Sequence, residues 1–322
     1  MDIERILATI PHRTIGLIGD LFLDRYLDID PARDEPSVET GLTAYQVVGV
    51  RSYPGALGTV LNNLAALGVG RIVPIAAIGN DGEGYELRQA LSAIQCVEMN
   101  GILAVPDRRT PTYTKPMYGA KELNRLDIKN RTPTPPEIDD AILNLLDDAW
   151  PRLDALIVLD QVSEENCGVV TKRVREYLAN LGERHSGKFM LADSRERIGW
   201  FRSVCVKPNR EELQRCGFSP ADLSTKTQRT VFLTDGEKGI QVVSASGSVL
   251  VPAYPVSGPV DICGAGDSCS AGIASAMVSG ATHEQAAAFG NLVASITIQQ
   301  IGATGTATPA QVRARWKEVT RP

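Results

Sequence analysis

Apolar positions along the chain recur with two periods. At helical spacing stand Ile3, Ile6, Leu7 and Ile10; then Leu57, Val60, Leu61, Leu64 and Leu67; then Ile138, Ile142, Leu145 and Ala149. Val170, Val174, Tyr177 and Leu181 form a further stripe. This spacing predicts helices over 1–10, from Leu57 to a stop at Gly68, from Thr134-Pro135-Pro136 onward, and from Ser163 onward. Others are expected over 85–94 and after the capping residues Thr282 and Thr308. Solid apolar runs at 14–19, 72–78, 155–159, 189–192, 204–206 and 231–233 read as buried strands, and 240–243 with 249–251 as a hairpin. Strand–helix alternation with solid apolar strands predicts an α/β fold, a doubly wound, mostly parallel sheet with helices on both faces. The segments 44–50 and 97–118 are extended but mixed in polarity, and predict a small separate sheet.

The stretch from Ser257 to Gly272 breaks this pattern. It begins rich in Gly and Pro, passes through Asp261-Ile262-Cys263-Gly264-Ala265-Gly266-Asp267, and continues into small apolar residues as far as Gly280. That predicts a tight loop feeding a buried helix. The first amides of a helix lack internal partners and carry the positive end of its dipole. Gly264 and Gly266 let the backbone approach a ligand, so the join suits a phosphoryl group. A carboxylate there, Asp267, could take a proton from an attacking hydroxyl. It could equally be a helix N-cap, and the segment alone leaves both readings open.

Length allows one large α/β domain or two small ones, and no linker divides the chain. Net charge is −5, which suggests no basic face and argues against nucleic acid as the main partner. Six cysteines without a C-x-x-C pair, beside three histidines, argue against structural zinc and point to a reducing cytoplasm. The first residues do not read as a secretory signal, and no apolar run is long enough to span a membrane. Asp20 and Asp24 follow a predicted strand, where open α/β sheets bind ligands, and are candidate hydroxyl acceptors. Asn209 and Glu212 share a face at a helix start. They fit either a water-bound Mg²⁺ or a capping box, and spacing favours the cap.

Together these segments resemble the ribokinase-like (PfkB) carbohydrate kinases over nearly the whole chain. Asp261 through Asp267 carries the most specific match. Gly19–Tyr26, Pro54-Gly55, Lys207–Glu212 and Thr234–Gly239 follow in the family's order. The resemblance implies an ATP- and Mg²⁺-dependent kinase acting on a sugar or sugar phosphate. Asp267 would be the base, and the backbone of Gly264, Ala265 and Gly266 the anion hole. Asn209 and Glu212 would organise Mg²⁺ and nucleotide phosphates. Thr234, Gly236, Gly239 and Asn291 would line the nucleotide. Asp24, Gly55, Thr59 and Lys115 would face the sugar. Asp261, Gly302 and Thr306 fall where many members hold a monovalent cation such as K⁺. A β lid from about 25–53 and 97–118, on a single kinase domain over 1–322, would pair two subunits into a homodimer.

Gly19 through Tyr26, with 111–115 and 124–127, looks closest to the heptose 7-phosphate kinase branch. The chain departs from that branch in three places. Thr59 replaces an Asn expected to contact sugar hydroxyls. Gln161–Glu165 replaces a Gly-Lys-Gly after Asp160. Cys263 replaces a Thr in the loop. These departures keep two alternatives in view: a kinase for another sugar or a nucleoside, and a non-catalytic binding protein on the same fold.

Overall fold

The computed structural model describes residues 1–302 and 304–321. The solid apolar runs assemble into a nine-stranded sheet. Its order is Gly247–Val251, Ile240–Ser244, Val231–Thr234, Cys205–Val206, Phe189–Ser194, Ala155–Asp160, Thr14–Gly19, Arg71–Gly79 and Ile102–Val105. Strands run parallel from Ile102–Val105 across to Val231–Thr234, and the last two turn back as the expected hairpin. Every residue of Ala155–Asp160 is buried, as a central strand covered on both faces requires. Helices Leu57–Leu67, Ala265–Met277 and His283–Thr297 pack one face, and Pro136–Ala149 with Lys172–Arg184 the other. In register, Gly19 lies beside Leu159, and Leu159 beside Asp193. Asp20, Asp160 and Asp193 therefore gather at the C-terminal edge of the sheet, the edge at which such folds bind ligands.

A second sheet orders Leu126–Ile128, Thr112–Tyr118, Leu21–Ile29 and Val47–Ala56, with Lys121–Glu122 paired to Thr112–Tyr118. Its composition differs from the expected lid. Ile102–Val105 belongs to the main sheet instead, because Ile102 and Val105 are buried in its core. The polar stretch after 118 supplies two short strands. Ala44 lies in a separate two-stranded ribbon with Glu35–Pro36. Exposed strands of this kind need no apolar alternation, so periodicity does not reveal them.

The helix expected from Ser163 begins at Lys172, capped by Thr171. Residues 161–170 instead form a loop over the strand ends, held by Asp20. One Asp20 oxygen accepts the amides of Gln161 (2.8 Å) and Val162 (2.9 Å), and the other that of Val169 (2.8 Å). Asp20 is thus spent on backbone and does not serve as a hydroxyl acceptor. Burial and the neighbouring Asp160 push its carboxyl up to about 6.

Candidate active site

The organising loop ends at Gly264, whose φ of 77° places it in the left-handed region. A Cβ there would lie 2.6 Å from the Thr304 methyl, so this turn requires glycine. Helix Ala265–Met277 follows with almost every residue small. The reason is close packing: a Cβ on Gly272 would come within 2.9 Å of Gly290 in helix His283–Thr297. The Ala265 amide donates to the Ile262 carbonyl (3.1 Å), so it cannot serve the anion hole as expected. Among the described residues, the amides of Gly264, Gly266 and Asp267 have no protein acceptor. Those three amides are free to receive an anion.

Asp267 is half-buried in the first turn of this helix and makes no side-chain cap bond. Burial, and then the nearby Asp193 carboxylate, push its carboxyl up to about 7, against the pull of Lys207 and Arg195. Asp24 also contributes to that rise, which puts it within electrostatic reach of Asp267.

Asp24 comes from the lid strand Leu21–Ile29, opposite Tyr53 and Tyr113. Gly55 makes room for it, since a Cβ on Gly55 would stand 2.3 Å from an Asp24 carboxylate oxygen. Lys115 Nζ lies 3.4 Å from Asp24 Oδ1 and donates to the Tyr26 hydroxyl (3.1 Å). The second sheet and the main sheet's edge thus bring Asp24, Lys115 and Asp267 near one another. Thr59 is buried, with its methyl against Gly264. It supports the Gly264 turn from behind. Ala56 holds a positive φ of 53°, so this segment stores backbone strain next to Gly55.

Asn209 and Glu212 form the capping box. Asn209 Oδ1 accepts the Glu212 amide (2.8 Å), and Glu212 Oε2 accepts the Asn209 amide (2.8 Å). Glu212 Oε1 makes no hydrogen bond among the described residues. Burial and Asp193 push Glu212 up to about 7. One free carboxylate oxygen fits Mg²⁺, which takes few protein ligands and completes its shell with water and phosphate. Among the described residues no cluster of three or more His, Cys, Asp or Glu forms an all-protein metal cage.

Thr234 bridges to Asn209, its amide donating to the Pro208 carbonyl (2.9 Å). Gly236 and Gly239 turn the next loop, and a Cβ on Gly239 would strike the Val251 carbonyl at 2.2 Å. Asn291 is buried, and its amide donates to the carbonyls of Val251 (3.1 Å) and Pro252 (3.0 Å). It therefore shapes this wall through backbone. Asp261 accepts the amides of Cys263 and Gly302 (both 3.0 Å), and the Thr306 carbonyl accepts from Gln300 Nε2 (2.7 Å). These groups tie loop to loop. Each Asp261 carboxylate oxygen and the Thr306 carbonyl thus already accept one hydrogen bond.

Three charged residues near Asp267 have no role in the sequence motifs. Asp193 ends a strand, Lys207 follows the next one, and Arg195 binds Gln161 Oε1 (3.0 Å) beside them. The signal was present: Val204-Cys205-Val206 is a buried strand, and a lysine placed directly after it sits at the ligand-binding edge.

Known proteins resemble this chain in sequence and in fold. The chain is 27% identical to the bifunctional protein HldE of Bradyrhizobium diazoefficiens, over 97% of this chain and 65% of that protein. It spans about two thirds of such relatives' length. Two solved structures share the fold. Arabidopsis thaliana ribokinase complexed with ribose and ATP has a TM-score of 0.68 at 16% identity, covering 95% of this chain and 99% of that one. The Burkholderia thailandensis nucleoside kinase in complex with inosine has a TM-score of 0.66 at 16% identity, covering 95% and 97%. The fold is ribokinase-like, and no helix among the described residues is long and apolar enough to cross a membrane. The family profile "pfkB family carbohydrate kinase" matches residues 26–311, and the chain belongs to that family of sugar kinases.

Proposed function

We propose that this kinase transfers the terminal phosphoryl group of ATP to a hydroxyl of a sugar phosphate, by preference a heptose 7-phosphate. The observation that carries the reading is Asp267 at the unpartnered amides of Gly264 and Gly266, within reach of Asp24 and Lys115. Asp24 would accept acceptor hydroxyls, and Lys115 would offer a cation to an anionic sugar. Asp267 would take the hydroxyl proton while the free amides stabilise the equatorial phosphoryl oxygens. Mg²⁺, bound at Glu212 through water, would neutralise phosphate charge. Thr234, Gly236, Gly239 and the wall behind Asn291 would receive the nucleotide.

A second reading, a different sugar or a nucleoside as acceptor, has its own support. Glu164 stands in the loop that replaces Gly-Lys-Gly. Its buried Oε2 has no partner, beside a small cavity lined by Arg108, Tyr113 and Lys129. A carboxylate there offsets the charge of Arg108 and Lys129 and can accept hydroxyls, which a neutral sugar or nucleoside supplies. The discriminating test is phosphoryl transfer from MgATP to D-glycero-D-manno-heptose 7-phosphate, ribose and inosine. We expect kcat/KM for the heptose phosphate to lead by at least about tenfold, the effect of one good charged contact. A lead for ribose or inosine would overturn it.

The lid gives a further expectation. Val47–Ala56 is an edge strand exposing Val47, Val48 and Val50. An open apolar edge recruits another strand, and a second copy of the lid supplies one. Sedimentation should find a dimer that Val50→Lys converts to monomer, whereas a monomeric wild type would contradict the pairing. The six unpaired cysteines suit a reducing compartment such as the cytoplasm.

A further inference from the structure

Lys207 is among the most enclosed charged groups in the protein, its side chain only 4% exposed. Its Nζ lies 2.8 Å from Asp193 Oδ2. An ammonium carries three N–H donors, and no other hydrogen bond from this one is present among the described residues. A buried cation with unspent donors is costly unless something arrives to accept them. The direction of the group is set by its surroundings. Its backbone amide donates to the Ala192 carbonyl (2.9 Å), fixing the strand end from which it rises. Asp193 is itself held by Gln161 Nε2 (3.3 Å), which Arg195 holds in turn (3.0 Å). Nζ stands 3.5 Å from where a Cβ on Gly266 would lie, so it faces the bare backbone of the anion loop.

We propose that Lys207, oriented by Asp193, binds the phosphoryl group as it crosses from nucleotide to acceptor. It completes with a full charge the pocket that the Gly264, Gly266 and Asp267 amides begin. The inference rests on the kinase reading above for its nucleotide, and is independent of which acceptor is used. In the step, the bond between acceptor oxygen and phosphorus forms as the bond to the leaving nucleoside diphosphate breaks. The hydroxyl proton passes to Asp267. Lys207 keeps its three protons throughout and exchanges unspent donors for phosphoryl oxygens. Burial penalises its charge, but Asp193, with Cys269 and Glu212, more than compensates and holds the ammonium protonated. The other titratable groups facing it are Glu212, Cys269 and Asp267.

A purely structural role would be to neutralise Asp193 in the core, and nucleotide affinities separate the two. The assay uses Mg²⁺ with AMP-PNP or ADP, titrated calorimetrically without any sugar. Lys207→Met should weaken AMP-PNP by roughly 10- to 100-fold, as expected for charged hydrogen bonds, and ADP by less than about threefold. Lys207→Arg should restore part of the difference. Because Lys207→Met strands a buried carboxylate, the pair Asp193→Asn/Lys207→Met is measured beside it and should show the same selective loss. An AMP-PNP to ADP ratio within about threefold of wild type in the pair variant would overturn the proposal. Failure of heptose 7-phosphate turnover would count against the acceptor assignment alone, since the titration contains no acceptor.

Discussion

Asp267→Asn lowers the turnover number by roughly 10²- to 10⁴-fold, the range lost with a general base. An amide occupies the same volume and can still accept a hydrogen bond, but it cannot take the hydroxyl proton. The variant should fold and bind nucleotide as the wild type does, because the Gly264, Gly266 and Asp267 amides are backbone. The wild-type pH profile follows from the same carboxyl. It is raised to about 7, and only its ionised form is a base. The value of kcat/KM should therefore rise through pH 7 and level off above pH 8, a limb that Asp267→Asn abolishes. For stability the sign is reversed. The folded state binds this proton more tightly than the unfolded chain, whose value is 3.8. The favourable contribution is present at low pH and is lost as pH climbs toward 7. Asp267→Asn should thus raise the melting temperature at pH 8 relative to wild type, and by less at pH 5. Turnover within threefold of wild type would remove Asp267 from the chemistry.

Arg197→Met should cost about 3–5 kcal/mol of folding stability, the usual result of stranding a buried charge. Arg197 and Asp160 are both almost wholly buried, with Nη2–Oδ1 at 2.6 Å and Nε–Oδ2 at 3.1 Å. The guanidinium also donates to the carbonyls of Ser163 (2.9 Å) and Val162. Removing it leaves the Asp160 carboxyl without its cation, beside Asp20, and frees two loop carbonyls. Ser194 Oγ, at 2.7 Å from Asp160, cannot replace a full charge. The loss exceeds that of any surface pair, because no solvent reaches the bereft carboxylate. Urea denaturation measures it. Adding Asp160→Asn should recover part of the loss, and a cost below about 1 kcal/mol for Arg197→Met would show that water enters the site.

The sheet was legible because its central strands are continuous apolar runs, as at Ala155–Leu159, and nothing else buries such a run on both faces. The loop from Asp261 to Asp267 was legible for a different reason: glycines at fixed offsets are dictated by backbone geometry, which Gly264 confirms by its left-handed turn. The lid was only partly legible. Leu126–Ile128 and Lys121–Glu122 are exposed, so no hydrophobic pattern marks them. The loop at 161–170 misled because Val170 and Val174 share a helical spacing by accident. What holds that loop open is Asp20, which lies about 140 residues earlier in sequence. Asn209 with Glu212 shows the same limit in reverse. Local spacing foresaw the capping box, with Lys207 just before it, but nothing local placed Asp193 beside them. Pairings of that kind follow from strand order, which motifs do not encode.

One crystal structure reaches the central assignment directly, that of the wild-type enzyme with Mg²⁺, AMP-PNP and an acceptor sugar. The acceptor hydroxyl should lie roughly 2.6–3.2 Å from an Asp267 carboxylate oxygen, with the terminal phosphoryl group on the Gly266 amide. A hydroxyl more than about 5 Å from that carboxylate, or a phosphoryl group seated away from Gly264–Asp267, would contradict it.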